Sequence, residues 1–163
     1  MRRNDKEITD TAEKLRIIAE CKVCRLALCD RGLPYIVPLN YGYAFDGGVL
    51  TLYFHGAREG RKIDIIRVNN TACFEVDCGQ KLIEPAQGDG ACKYGYAFKS
   101  VVGWGKITFV EDRAEKTGAL SLLMAHQTGS SRAFRFDQAA VERVLVFKMT
   151  VEEFTGKHKE LPQ

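Results

Sequence analysis

The residues best placed to do chemistry fall in one short stretch, between Val49 and Asn70. His55 is followed by Gly56, and then by the cations Arg58, Arg61 and Lys62. An imidazole titrates near neutral pH and can pass a proton to or from a substrate. Basic side chains at a helix start, together with its free N–H groups, can converge on a phosphate. Without an anion, cations there oppose the helix dipole and cost up to about 1 kcal/mol each. The plainer alternative is a strand, a turn and a solvated basic helix end, with Glu59 neutralising part of the charge. Spacing alone leaves both open.

The six cysteines are Cys21, Cys24, Cys29, Cys73, Cys78 and Cys92. Cys21 and Cys24 form a CxxC, but no second close pair of Cys or His accompanies it, as a structural zinc site usually requires. Cys73 and Cys78 are expected on one strand. Cys24 and Cys29 lie in an apolar strand, where a thiol usually serves as a small buried hydrophobe. Ordinary reduced thiols and no metal are the expectation.

Positioning His55 and the cations requires a strand, a turn and a helix. Val49 to Phe54 is β-branched and aromatic, which predicts a strand. Ile63, Ile65 and Ile66 predict a short helix over residues 59–68. Gly56 lets the chain turn sharply or approach a ligand closely.

With 163 residues the chain is read as one domain, residues 1–163, large enough for a real core. Hydrophobic residues make up 45% and charged residues 28%, within the range of globular proteins. A net charge of +3, from 24 basic and 21 acidic residues, offers no concentrated basic face for nucleic acid. No apolar run is long enough to span a membrane, and the first residues lack a signal-peptide core, so a cytoplasmic protein is expected.

A helix capped by Thr9 or Asp10 should run to about Glu20, with Ala12, Leu15, Ile18 and Ala19 on its apolar face. Strands follow from Val23 to Cys29 and from Pro34 to Phe45, joined by a turn at 30–32, with Pro38 pointing to an edge or bulge. Asp46-Gly47-Gly48 predicts a hairpin into Val49–Phe54, so that three strands form a meander. A strand over Thr71–Cys78, a polar loop over 80–92 and a long strand over Tyr94–Val110 come next. Gly103 and Gly105 share a face of that strand, which suits a barrel corner or a subunit contact, or in the special case a ligand, with Trp104 packing over them. Asp112 opens a helix to about His126 with Leu120, Leu123 and Met124 as its core stripe, and Gly129 ends it. A cationic His126 would suit that helix end. A short helix at 138–142 precedes a strand from Val144 to about Val151 and a polar tail over 155–163. The pattern predicts a mainly β, α+β chain: six mostly antiparallel strands in a small closed or split β-barrel with short flanking helices.

The segments Leu26–Tyr43, Leu52–Ala57 and Gly60–Asp64, with Ser100–Gly105, Glu111-Asp112 and Leu123–Thr128, resemble the pyridoxamine-phosphate-oxidase-like flavoproteins. The chain is most similar to their 5-nitroimidazole-resistance branch, from about Arg3 to Phe147. The resemblance implies an FMN-binding split barrel, dimeric, with flavin at the subunit interface. It places Lys62, with Arg61 beside it, at the flavin phosphate, and Pro38, Leu39 and Asn40 along the isoalloxazine ring. Phe54, His55 and Gly56 fall near the ring or ribityl chain, and Ser100 and Val101 where another strand approaches. The arginine-rich motif of true pyridoxine-phosphate oxidases is missing, which argues against vitamin B6 chemistry. Two functions follow. One is a flavin-dependent reductase of nitroaromatics or a related small oxidant, with His55 as proton donor. The other is a flavin- or haem-binding protein on the same barrel without such turnover.

Overall fold

A computed structural model describes residues 4–88, 90–130 and 132–161. Its strands are β1 (Glu7–Ile8), β2 (Val23–Asp30), β3 (Leu33–Asn40), β4 (Gly42–Asp46), β5 (Val49–Gly56), β6 (Thr71–Ile83), β7 (Gly95–Val110) and β8 (Leu145–Lys159). The helices are α1 (Thr11–Glu20), α2 (Arg61–Val68), α3 (Arg113–Thr128) and α4 (Gln138–Arg143). Hydrogen bonding links the strands in the order β3-β2-β6-β7-β8-β5-β4, and β1 pairs with β8. By contact, the chain divides into two compact units. The larger comprises residues 22–75 and 103–154, the smaller residues 1–21, 76–102 and 155–163.

Local chemistry explains the hairpins of the larger unit. Arg31 and Gly32 have φ of 52° and 89°, which gives the turn a twist matching its flanking strands. β2 and β3 then pair in register, with Cys24 opposite Leu39 and Arg25 opposite Pro38. β3 ends the sheet path, so Pro38 needs no second hydrogen-bonded neighbour. Gly47 and Gly48 form the same kind of turn between β4 and β5.

The expected meander is absent. β3 and β4 lie at opposite ends of the path, yet only Tyr41 separates them in sequence. Laid flat, seven strands would set their outer members roughly 29 Å apart, which one residue cannot span. The sheet of this unit is therefore rolled, and Tyr41, fully buried, marks the closure. The reading of 34–45 as one strand fails there, and the count rises from six strands to eight among the described residues, through this split and the two-residue β1.

Inside the roll, Cys24, Leu26 and Leu28 of β2 alternate with exposed or half-buried neighbours, as do Leu50, Leu52 and Phe54 of β5. Phe54 stacks on Phe147 with ring centroids 5.2 Å apart. Gly103 and Gly105 serve the same core rather than a partner. A Cβ on Gly105 would lie 2.0 Å from the Thr150 carbonyl oxygen, and one on Gly103 2.7 Å from that of Glu153. β8 fills this space, and Trp104 faces the opposite way, exposed.

Asp112 caps α3, accepting from the Glu115 N–H at 2.8 Å, and Gly129 ends it with φ of 66°. Its buried stripe is Lys116, Ala119, Leu123 and His126, whereas Leu120 and Met124 are only half-buried. In the smaller unit, Asp10 caps α1, whose buried residues are Ile17 and Ile18, while Ala12 is exposed. β6 extends to Ile83 into the expected loop, and β8 to Lys159 into the expected tail, where Glu7 pairs with Lys157. Asn4–Lys6 is a short helical turn and Glu7–Ile8 the strand β1, while residues 1–3 lie outside the described set. Among the described residues no helix is long and apolar enough to cross a membrane.

Candidate functional site

The end of β5 and the start of α2 form one continuous unit. On β5 the side chains alternate, so Phe54 points into the core and His55 outward, opposite Val146 of β8. Partial burial of the imidazole lowers its pKa from 6.5. After Gly56 the chain passes through residues 57–60 and enters α2. Gly60 has φ of 124° and ψ of 162°, a region open essentially to glycine. Its carbonyl accepts from the Ile63 N–H at 2.8 Å and the Asp64 N–H at 3.2 Å, and no side chain caps the helix. Gly60→Ala is expected to cost about 1–3 kcal/mol, seen as a lower denaturation midpoint in urea, because alanine must force this turn out of shape.

The three cations do not converge. Lys62 lies back over β5: a Cβ on Gly56 would sit 3.4 Å from its Cε and 3.5 Å from its Nζ. Arg61 turns toward the β2–β3 hairpin, where it meets the Asp30 carboxylate at 3.1 Å and stacks 4.8 Å from the Tyr35 ring centroid. Arg58 donates to the carbonyls of Glu142 and Arg143, the latter at 3.1 Å, satisfying groups at the end of α4. The chain thus sets the Lys62 ammonium beside Gly56, on the face of β5 opposite the His55 side chain, and sends Arg58 and Arg61 elsewhere. A cleft of about 670 Å³ is lined by Arg61, Asp30, Leu33, Ile65 and Val68, on the Arg61 side of α2.

Pro38, Leu39 and Asn40 lie along β3, with Leu39 half-buried and the other two exposed. Ser100 and Val101 belong to the part of β7 in the smaller unit, Ser100 half-buried and Val101 fully buried. The side chains of Phe54 and Val101 are committed to cores, so at a ligand they would offer backbone only.

Residues not singled out as site residues hold the end of β3. Gln127 Nε2 donates to the carbonyls of Tyr41, at 2.9 Å, and Lys22, at 3.2 Å. Asn40 Nδ2 donates to Gln127 Oε1 at 3.0 Å and to the Lys22 carbonyl at 3.1 Å. His126 is buried between the rings of Tyr41 and Tyr43, its Nδ1 2.7 Å from the Tyr41 carbonyl oxygen. It is therefore built into the interior rather than lying on the surface at the helix end.

Four thiols are raised in pKa by burial, Cys24 to about 12, together with Cys21, Cys73 and Cys78. Cys29, expected inside, is exposed, because it occupies the outward position next to the hairpin.

Comparison with known proteins decides the family. The family model described as pyridoxamine 5'-phosphate oxidase matches residues 10–158. The chain belongs to this family. A candidate 5-nitroimidazole antibiotic resistance protein from Bacteroides thetaiotaomicron is 34% identical, with 94% of this chain and 90% of that one covered and a TM-score of 0.79. A FAD-binding protein from Mesorhizobium loti is 26% identical, covering 93% and 96%, with a TM-score of 0.64. A flavocytochrome from Azotobacter vinelandii shares the fold at 18% identity, covering 99% and 73%, with a TM-score of 0.79. No curated protein matches the sequence. For this member of the family, the antiparallel split barrel read from the sequence is the fold observed.

Proposed function

We propose that the protein is an FMN-dependent reductase of nitroaromatic compounds such as 5-nitroimidazoles, acting as a homodimer with flavin at the subunit interface. One observation carries this reading: an uncapped helix start bearing Lys62 follows directly on the strand that presents His55. The free N–H groups of that start and the Lys62 ammonium suit a single compact phosphate, which favours FMN over FAD. The relative that is 34% identical over nearly the whole chain supports the substrate class.

Reduced flavin supplies the electrons when bound. The chain's part is to hold the ring, exclude water and provide protons. A nitro group becomes more basic as it takes up electrons, and His55, the imidazole in this unit, is the donor suited to it. Arg61 is exposed and its pair with the half-buried Asp30 carboxylate contributes at most about 1 kcal/mol, so it remains able to turn to a phosphate.

Lys62→Ala is expected to weaken FMN binding by about 1.5–3 kcal/mol, measured by flavin fluorescence during titration of the apoprotein. Unchanged affinity, or FAD as the cofactor extracted from purified protein, overturns the phosphate assignment. The dimer is supported by the outward face of the edge strand β3, where Ile36 is 62% exposed beside Pro34 and Pro38. Sedimentation at micromolar concentration should give a dimer with over about 1,000 Å² buried. A flavin-loaded monomer contradicts it. Photoreduced protein mixed anaerobically with a nitroimidazole should reoxidise in step with loss of the nitro group, whereas a flavin carrier stays reduced.

A further inference from the structure

We infer that Gln127 is a positioning residue that turns the Asn40 carboxamide oxygen outward, so that the end of β3 offers a hydrogen-bond acceptor to the ring imide N–H of a flavin. The inference rests on the proposal that Pro38–Asn40 runs along the isoalloxazine ring.

The orientation follows from what each partner is able to do. The carbonyls of Lys22 and Tyr41 only accept, so the Gln127 atom between them, 3.2 and 2.9 Å away, must be the amide nitrogen. Its other atom is therefore an oxygen, which requires a donor. Asn40 meets that oxygen at 3.0 Å and the Lys22 carbonyl at 3.1 Å, two acceptors at once. Only its NH₂ group fits there, and both of its hydrogens are used. Reversing either amide would set oxygen against oxygen at two places, a loss no local rotation repairs.

Asn40 is exposed at the end of an edge strand, and its remaining polar atom is Oδ1. An acceptor there has no use for a phosphate or a carboxylate, which present only oxygens. It suits a ring N–H, and the pyrimidine edge of a flavin carries one between two carbonyls. Lys22 Nζ donates to the His126 carbonyl at 2.6 Å, and His126 Nδ1 lies 2.7 Å from the Tyr41 carbonyl oxygen. The C-terminal turn of α3 thereby holds both Tyr41, next to Asn40, and Lys22, whose carbonyl Asn40 meets.

Nitrogen-labelled FMN bound to the protein tests this by NMR, through the solvent exchange of its imide proton. In the parent protein the exchange should be slowed at least about tenfold relative to free FMN. Asn40→Ala and Gln127→Ala, each loaded at saturating FMN, should lose that protection. Fast exchange in FMN-loaded parent protein overturns the inference and leaves flavin binding standing, as does protection that survives in either variant. Should Gln127→Ala fail to fold, by far-UV circular dichroism, the parent and Asn40→Ala decide. If the parent takes up no FMN, the proposed function falls and the inference with it.

Discussion

His55→Ala is expected to keep most of its bound flavin and to lose nitro reduction by about 10²–10⁴-fold, the range for removal of a general acid. The side chain points out of β5 while its neighbours Phe54 and Gly56 hold the backbone, so truncation should leave the strand in place. The pH dependence carries a sign. Partial burial lowers the imidazole pKa from 6.5, so at pH 7 the neutral form predominates. A proton donor must be protonated, so the rate per bound flavin should rise as pH falls, and should level off only below 6.5. The His55→Ala profile should be flat across the same window. The measurement is anaerobic reoxidation of reduced protein by a nitroimidazole, normalised to flavin content, at several pH values. A normalised rate within about threefold of the parent throughout would remove His55 from the chemistry and favour a flavin-binding protein without this turnover.

Gly42→Ala should be among the most destabilising single-methyl additions in the larger unit. A Cβ there would lie 2.4 Å from the Leu123 nitrogen and 2.6 Å from its Cα. Both are helix backbone atoms, so no side chain is able to swing aside, and α3 must move off β4 as a body. Overpacking against a rigid neighbour costs about 3 kcal/mol, which for a chain this size lowers Tm by roughly 6–12 °C. The damage should spread to the site, because α3 carries Gln127 and His126 against residues 40–41. The variant should therefore also bind flavin more weakly below its Tm. Thermal denaturation with and without FMN measures both effects. A Tm within about 2 °C of the parent would show that α3 does not bear on β4 this closely.

Features set by neighbouring residues were legible in the sequence. The turns at 30–32 and 46–48, the caps Asp10 and Asp112 and the stop at Gly129 all arise from contacts within a few positions. So does the placing of Lys62 back over Gly56, since strand, turn and helix follow one another within a few residues. The strands begun at Val23 and Val49 were legible too, because β-branched and aromatic runs fit a pleated surface.

Partnerships between distant parts of the chain were decided only by the tertiary structure. Nothing near Arg58 announces the end of α4, 84 and 85 residues away, and nothing near Arg61 announces Asp30. Alternation continues through Tyr41 without a break, because the pattern records only inside and outside. Where the sheet closes depends on which strands β3 and β4 find as neighbours. Gly103 and Gly105 signalled a close approach correctly, but the approaching strand was β8 of the same chain. Asn40 and Gln127 are 87 residues apart, and the hydrogen bond that orients Asn40 exists only once α3 packs against β4. A carboxamide reads the same in sequence whichever way it turns, and the acceptors that force its direction are assembled by the fold.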